Sequence, residues 1–221
     1  MNTAHAGARF LCFFGLSLVL TSAAIADDNA EPAITLEPVE EKRAIWEDGV
    51  GGGFAKRARS FELKLARAWG VNRGGPTVAH DLWLMHAQYG YILNDTWGRG
   101  HWYGGNLEVT GLFFGGIQDD PELAYVVGLN GGLRYHFATG GRLNPFLSLS
   151  LGVTATDIGL PDLGGVFQFN EQYGAGLRYF LNARQAITLE YYSVHLSSAR
   201  ITKPNHGVNA HAVCVGFTWL F

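Results

Sequence analysis

Nowhere does the chain offer an apolar run long enough to cross a bilayer as a helix: the best candidate, Phe10 to Leu20, is about half of the roughly 20 residues required. Cysteine is nearly missing as well. Of the two present, Cys12 lies inside that apolar run, and the preceding Ala8-Arg9-Phe10-Leu11 lacks the small residue expected beside a lipoprotein cysteine, which argues against a lipid anchor. Cys214 alone cannot close an internal disulfide, so stability has to come from elsewhere. Charge is sparse, at 16% of residues, and the formal net charge is −3. The Lys and Arg residues are scattered rather than clustered, so the sequence carries no field for nucleic acid.

The N-terminus has the three-part layout of a secretory signal peptide: Arg9, the apolar run, then small residues ending in Ala24-Ile25-Ala26. Cleavage is expected after Ala26. Residues Asp27 to Arg43 are acidic and Pro-containing without periodicity, and with the Gly-rich stretch that follows they read as a periplasmic lead-in over residues 27–58. The rest, residues 59–221, fits one domain.

From Ser60 onward one design repeats: about ten residues of alternating character, then a turn, which is the cumulative signature of a membrane barrel. Eight segments are expected, near Ser60 to Trp69, Asp81 to Leu93, Gly105 to Phe114, Ala124 to Phe137, Pro145 to Ala155, Phe167 to Leu181, Ala186 to Ser197 and Gly207 to Phe221. The fold class predicted is all-β, an eight-stranded antiparallel transmembrane β-barrel. The tight turns Thr139-Gly140-Gly141-Arg142 and Asn182-Ala183-Arg184 belong to the periplasmic side. Val71 to His80, Gly115 to Glu122, Asp157 to Gly165 and Ser198 to His206 then form exterior loops, and both chain ends lie in the periplasm.

Successive strand side chains point to opposite faces. Odd-numbered positions are the apolar set, for example Trp83, Met85, Tyr89 and Tyr91, or Leu147, Leu149, Leu151 and Val153, so they should meet lipid. Even-numbered positions carry Glu62, Lys64, His86, Gln88, Glu108, Arg134, His136, Arg178 and Glu190, a mixed-charge set suited to pairing inside a narrow barrel. A soluble lipocalin-like barrel would invert that arrangement. The C-terminal series Val213, Val215, Phe217, Trp219 and Phe221 resembles an outer-membrane assembly signal, and Trp97, Trp102 and Tyr103 read as interfacial belt aromatics. Eight strands enclose room for side chains only, which disfavours transport.

The stretch Tyr191-Tyr192-Ser193-Val194-His195-Leu196-Ser197-Ser198-Ala199, continued by Pro204-Asn205-His206-Gly207-Val208-Asn209, is the most informative. It resembles the outer-membrane lipid A 3-O-deacylase family (acyloxyacyl hydrolase-like), an eight-stranded barrel whose penultimate strand ends in His-x-Ser-Asn and whose last strand opens with Asn-x-Gly-x-acid. The resemblance implies a serine esterase acting on an ester-linked acyl chain of lipopolysaccharide lipid A, with Ser197 as nucleophile and His195 as its base, no cofactor and no metal. Physical reading agrees in part: a spacing of two puts both side chains on one strand face, the odd, lipid-facing one. A neutral imidazole must take the proton, so activity should fade in acid.

Two positions depart from the family pattern. Ser198 stands where the family has an Asn thought to hold the oxyanion, and Asn209 stands where it has the catalytic Glu, so the charge that would stabilise an imidazolium is missing. Strand register offers a substitute. A tight Asn182-Ala183 turn would set Glu171 opposite His195 with the same outward parity, making Glu171 the candidate orienter. The same reasoning across the last hairpin is expected to bring His211 beside His195; two histidines without a third ligand make a weak metal signal.

The competing reading is a non-catalytic surface or structural barrel that has lost the acid and the oxyanion Asn. The bland reading of His195 and Ser197 is a polar barrel rim meeting water and headgroups. Expected partners are lipid A and outer-membrane lipids, with Sec-type export to the bacterial outer membrane; the sequence leaves open whether barrels pair as a homodimer.

Overall fold

A computed structural model describes residues 55–72 and 74–221. The signal peptide and most of the lead-in expected from the sequence lie outside them. The described residues form eight strands: β1 Arg59–Gly70, β2 Asp81–Ile92, β3 Gly105–Asp120, β4 Ala124–Phe137, β5 Leu143–Thr156, β6 Phe167–Asn182, β7 Gln185–Ser197 and β8 Val208–Leu220. Each pairs antiparallel with its neighbour and β1 pairs with β8, so the sheet closes without an edge. Closure matters in lipid, where an open edge would leave backbone groups without partners.

Parity holds around the whole circumference. In every strand the even positions turn inward and the odd positions outward. The outward set includes Met85, Phe113, Leu129, Leu147, Leu151, Leu189 and Val215, all exposed, and a surface of that kind is stable only against hydrocarbon. The barrel therefore spans a membrane. Trp97, Trp102 and Tyr103 are exposed in the turn between β2 and β3, at the end where an interfacial belt belongs.

The interior is layered, which the expected mixed-charge lining did not anticipate. At the extracellular end the inward residues are apolar, among them Leu84, Phe114, Val126, Val194, Leu196 and Val208. The middle layer is ionic. Glu62 accepts from Arg178 Nη2 at 3.0 Å, Arg134 Nη2 at 3.3 Å, Thr188 Oγ1 at 3.1 Å and Thr218 Oγ1 at 2.7 Å, and Lys64 pairs with Glu62 at 3.0 Å and Glu190 at 2.6 Å. His136 Nε2 meets Glu108 at 2.8 Å. Ile92, Phe180, Ala186 and Leu220 then close the periplasmic mouth. The cavity beside Lys64, His86 and Glu190 measures about 20 Å³, room for a water molecule and no path for a solute.

One strand is longer than its pattern suggests. The Gly115 to Glu122 segment, expected as an exterior loop, continues β3 to Asp120, because Gly115 and Gly116 pair with Met85 and Leu84 on one side and Val127 and Val126 on the other. Glycine there signals a turn in the sequence but serves a ladder in the sheet. A register shift at Asp81/Leu82 accompanies the last pairs, and there Arg67 reaches Asp81 at 2.9 Å and Asp119 at 2.6 Å.

Candidate active site at the outer rim of β6, β7 and β8

Strand β7 ends on His195, Leu196 and Ser197, and parity sorts the three. Leu196 is buried in the apolar upper layer, whereas His195 and Ser197 are partly exposed on the lipid-facing side. The tight turn after β6 fixes the register of β6 and β7, and it sets Glu171 opposite His195 as the sequence led us to expect.

The next register differs from expectation. His195 lies opposite Asn209, and His211 lies opposite Ser193, one pair further into the membrane. A slip of two residues keeps every side chain on its own face, so hydrophobic patterning cannot tell the two registers apart. In the observed register His195 Nδ1 donates to Asn209 Oδ1 at 2.6 Å. That bond fixes the tautomer: Nδ1 carries the proton and Nε2 is left as the acceptor. His211 Nδ1 bonds instead with Ser193 Oγ at 2.9 Å, and its ring stacks on Tyr191.

Glu171, His195 and Asn209 thus form one outward row across three strands, but only one contact in it is made. Among the described residues no ion pair joins Glu171 to His195. The carboxylate lies on the β6 side of the ring while Nδ1 is turned to β8, so the contact made to the ring is that of Asn209. No hydrogen bond joins Ser197 Oγ to His195 either; such bonds commonly tighten only when a substrate is seated.

Ser198 does not share the face of Ser197. It is buried, its N–H donates to Asn205 Oδ1 at 2.7 Å and its Oγ to the same oxygen at 2.8 Å. Both of its donors are engaged in holding the loop between β7 and β8. Parity alone would have put this even-numbered residue inward. Beyond it, Ala199 and Arg200 have φ of 51° and 69°, and Ile201 N donates to Ser198 O at 3.0 Å, closing a type I′ turn directly after the serine. Two successive non-glycine residues in the left-handed region are strained, and such strain persists only where the surroundings impose it.

Two features of the site carried no sequence signal of their own. Gly207 has φ +82°, and a Cβ there would sit 2.9 Å from His195 Cε1 and 3.0 Å from Leu196 O, so the imidazole rests against a position that only glycine can fill. Asp162, in the loop after β5, is fully buried and receives Thr77 N at 2.7 Å, Thr77 Oγ1 at 2.8 Å, Val78 N at 3.2 Å and His80 Nε2 at 2.9 Å. Its backbone oxygen accepts from His206 N, and Leu163 bridges to Asn205. Through these bonds the loops before β2 and before β6 are tied to the loop that holds Ser198. Among the described residues no group of three or more His, Cys, Asp and Glu is placed to hold a metal ion.

The model of the family described as lipid A 3-O-deacylase (PagL) matches residues 76–218. Over 82 residues the chain is 32% identical to the lipid A deacylase PagL of Pseudomonas aeruginosa, a match that spans 36% of this chain and 44% of that relative, less than half its length. The crystal structure of the outer membrane enzyme PagL superposes with a TM-score of 0.50 at 19% identity, covering 69% of this chain and 97% of that one. Neisserial surface protein A superposes with a TM-score of 0.54 at 15% identity, covering 74% and 99%. At such identities the two structures establish a shared barrel, and a barrel common to an enzyme and a surface protein does not choose between their functions. The family model spans most of the strands and both halves of the motif at β7 and β8, and on that match the chain belongs to the lipid A 3-O-deacylase (PagL) family.

Proposed function

We propose that the chain is an outer-membrane serine esterase that removes an ester-linked acyl chain from the lipid A part of lipopolysaccharide, exported by residues 1–26 and preceded in the periplasm by residues 27–58. The observation that carries this reading is the bond of 2.6 Å from His195 Nδ1 to Asn209 Oδ1. It presents Nε2 as a free base on the same lipid-facing strand edge as the Ser197 hydroxyl, at the level where the ester linkages of outer-leaflet lipid lie.

In the proposed reaction Ser197 Oγ attacks the ester carbonyl while His195 Nε2 takes its proton. The tetrahedral intermediate collapses, the bond to the sugar oxygen breaks, and His195 returns the proton to that leaving oxygen. Water, deprotonated by the same imidazole, then releases the fatty acid from Ser197. Ser198 acts indirectly. Through its two bonds to Asn205 Oδ1 it braces the turn after Ser197, whose Ala199 N–H is the oxyanion donor. Glu171, on the far side of the ring from Asn209, is left to accept from a substrate donor.

The test is mass spectrometry of lipid A from cells producing the wild-type protein or Ser197→Ala. Loss of one acyl chain with wild type alone supports the esterase. A second reading, the non-catalytic barrel, is favoured by Asn209 in the place of an acid; unchanged lipid A beside a folded, inserted wild-type barrel would establish it.

A further inference from the structure

The loop between β7 and β8 carries two cations that nothing in the proposed chemistry uses. Arg200 and Lys203 are exposed three and six residues beyond the nucleophile, and neither pairs with a carboxylate among the described residues. Arg67, at the same end of the barrel, is already held by Asp81 and Asp119. Elsewhere the rim is acidic: Asp119, Asp120 and Glu122 cluster where β3 turns into β4, four strands away from β7 in an eight-stranded ring and so on its opposite side. Among the described residues Arg200 and Lys203 therefore carry uncommitted positive charge on the loop that follows Ser197.

Arg200 is also held in an unusual way. Its φ of 69° is one that glycine would adopt without strain, yet the position carries a long cationic side chain. The turn presenting it is braced: Ser198 is bonded twice to Asn205, Leu163 bridges to Asn205, and Gly164 lies so close to Lys203 that a Cβ would come within 2.2 Å of the Lys203 carbonyl oxygen. The backbone that presents the guanidinium is thus braced, and its planar fork matches two phosphate oxygens.

Resting on the esterase reading, we propose that Arg200, assisted by Lys203, forms an anion subsite that takes a phosphate monoester on the glucosamine headgroup of the substrate and so seats the neighbouring acyl ester over Ser197. Phosphorylated glycolipid is selected by this pair over the same glycolipid without its phosphate.

The full-length barrel in detergent micelles is the material for the test. Two probes are compared, an O-acylated glucosamine 1-phosphate and the same compound without its phosphate, for turnover by the wild type and for binding to Ser197→Ala. Arg200→Gly removes the cation while relieving the backbone, so folding, read by the heat-sensitive gel shift of the barrel, is retained. The expected result is a KM about tenfold higher for the phosphorylated probe with Arg200→Gly, an unchanged KM for the other probe, and partial recovery with Arg200→Lys. Equal KM values for the phosphorylated probe in wild type and Arg200→Gly would overturn the subsite. If the wild type cleaves neither probe, the esterase reading fails, and the subsite is then decided by binding: preference of Ser197→Ala for the phosphorylated probe, lost when Arg200→Gly is added, supports it, and no preference refutes it.

Discussion

At the scale of single residues the site turns on an amide standing where a carboxylate would be expected. Asn209 can accept a hydrogen bond from Nδ1 and hold the ring, but it cannot stabilise the imidazolium that the proposed reaction would form. Asn209→Asp keeps the shape and supplies the charge. With the proposed esterase it should raise kcat by about tenfold or more, and Asn209→Ala should lower it by a similar factor, both read on a lipid A substrate. An Asn209→Asp variant no faster than wild type would mean that orientation is the whole of the residue's contribution. The pairing of His195 and Ser197 on one outward face was legible in the sequence, since a spacing of two in a strand leaves no alternative. The partner of His195 was not. Asn209 and His211 are both odd-numbered and both point outward, and the loop from Ser198 to Gly207 is too long to dictate which of them meets the ring. Ser198 shows the reverse case: its even number places it inward, as a motif matched by residue type alone does not reveal.

Among the elements, the exterior loops decide whether the strand end is held still. Asp162 gathers Thr77, Val78 and His80 from the loop before β2, while its backbone and Leu163 hold the loop before β8. Burial pushes the Asp162 carboxyl up, but the bonds from His80, Thr77 and Val78 outweigh it and hold the group below its ordinary value. A carboxyl depressed in the folded state stabilises the latch above the unfolded value of about 3.9, and that contribution disappears as pH falls through the lower folded value. The latch is therefore intact at neutral pH and opens only in strong acid. Asp162→Ala should open it at any pH. Cleavage by trypsin after Arg200 should become faster by about tenfold, kcat should fall with KM little changed, and the barrel's thermal midpoint should move only slightly. Unchanged proteolysis at Arg200 would show that the loop is held without Asp162. None of this was legible, because a latch of buried polar side chains in irregular loops has no periodicity to reveal it; the strands it connects were legible in number and in face because a period of two leaves a trace at every position.

For the molecule as a whole, the same alternation that turns apolar side chains to lipid forces the inward positions to solve a separate problem. Three cations, Lys64, Arg134 and Arg178, share the middle layer with Glu62, Glu108 and Glu190, all buried. Signs balance, and they have to, since a buried charge left without its partner is strongly destabilising. Glu62 is the hub: both guanidiniums, the Lys64 ammonium and the hydroxyls of Thr188 and Thr218 converge on it from β1, β4, β6, β7 and β8. The site on the outer rim lies above an apolar layer, separated from this network, so the two should respond independently to mutation. Glu62→Gln preserves volume and removes one negative charge, leaving the middle layer with an excess of positive charge and the Thr188 and Thr218 hydroxyls with a neutral neighbour. A loss of about 3 kcal/mol is expected, seen as an earlier urea midpoint by tryptophan fluorescence of the barrel in lipid vesicles, whereas Ser197→Ala should leave that midpoint in place. If Glu62→Gln unfolds at the wild-type midpoint, water entering the barrel is compensating the charges, and closure of the sheet with its lipid-facing side chains would suffice to hold the fold.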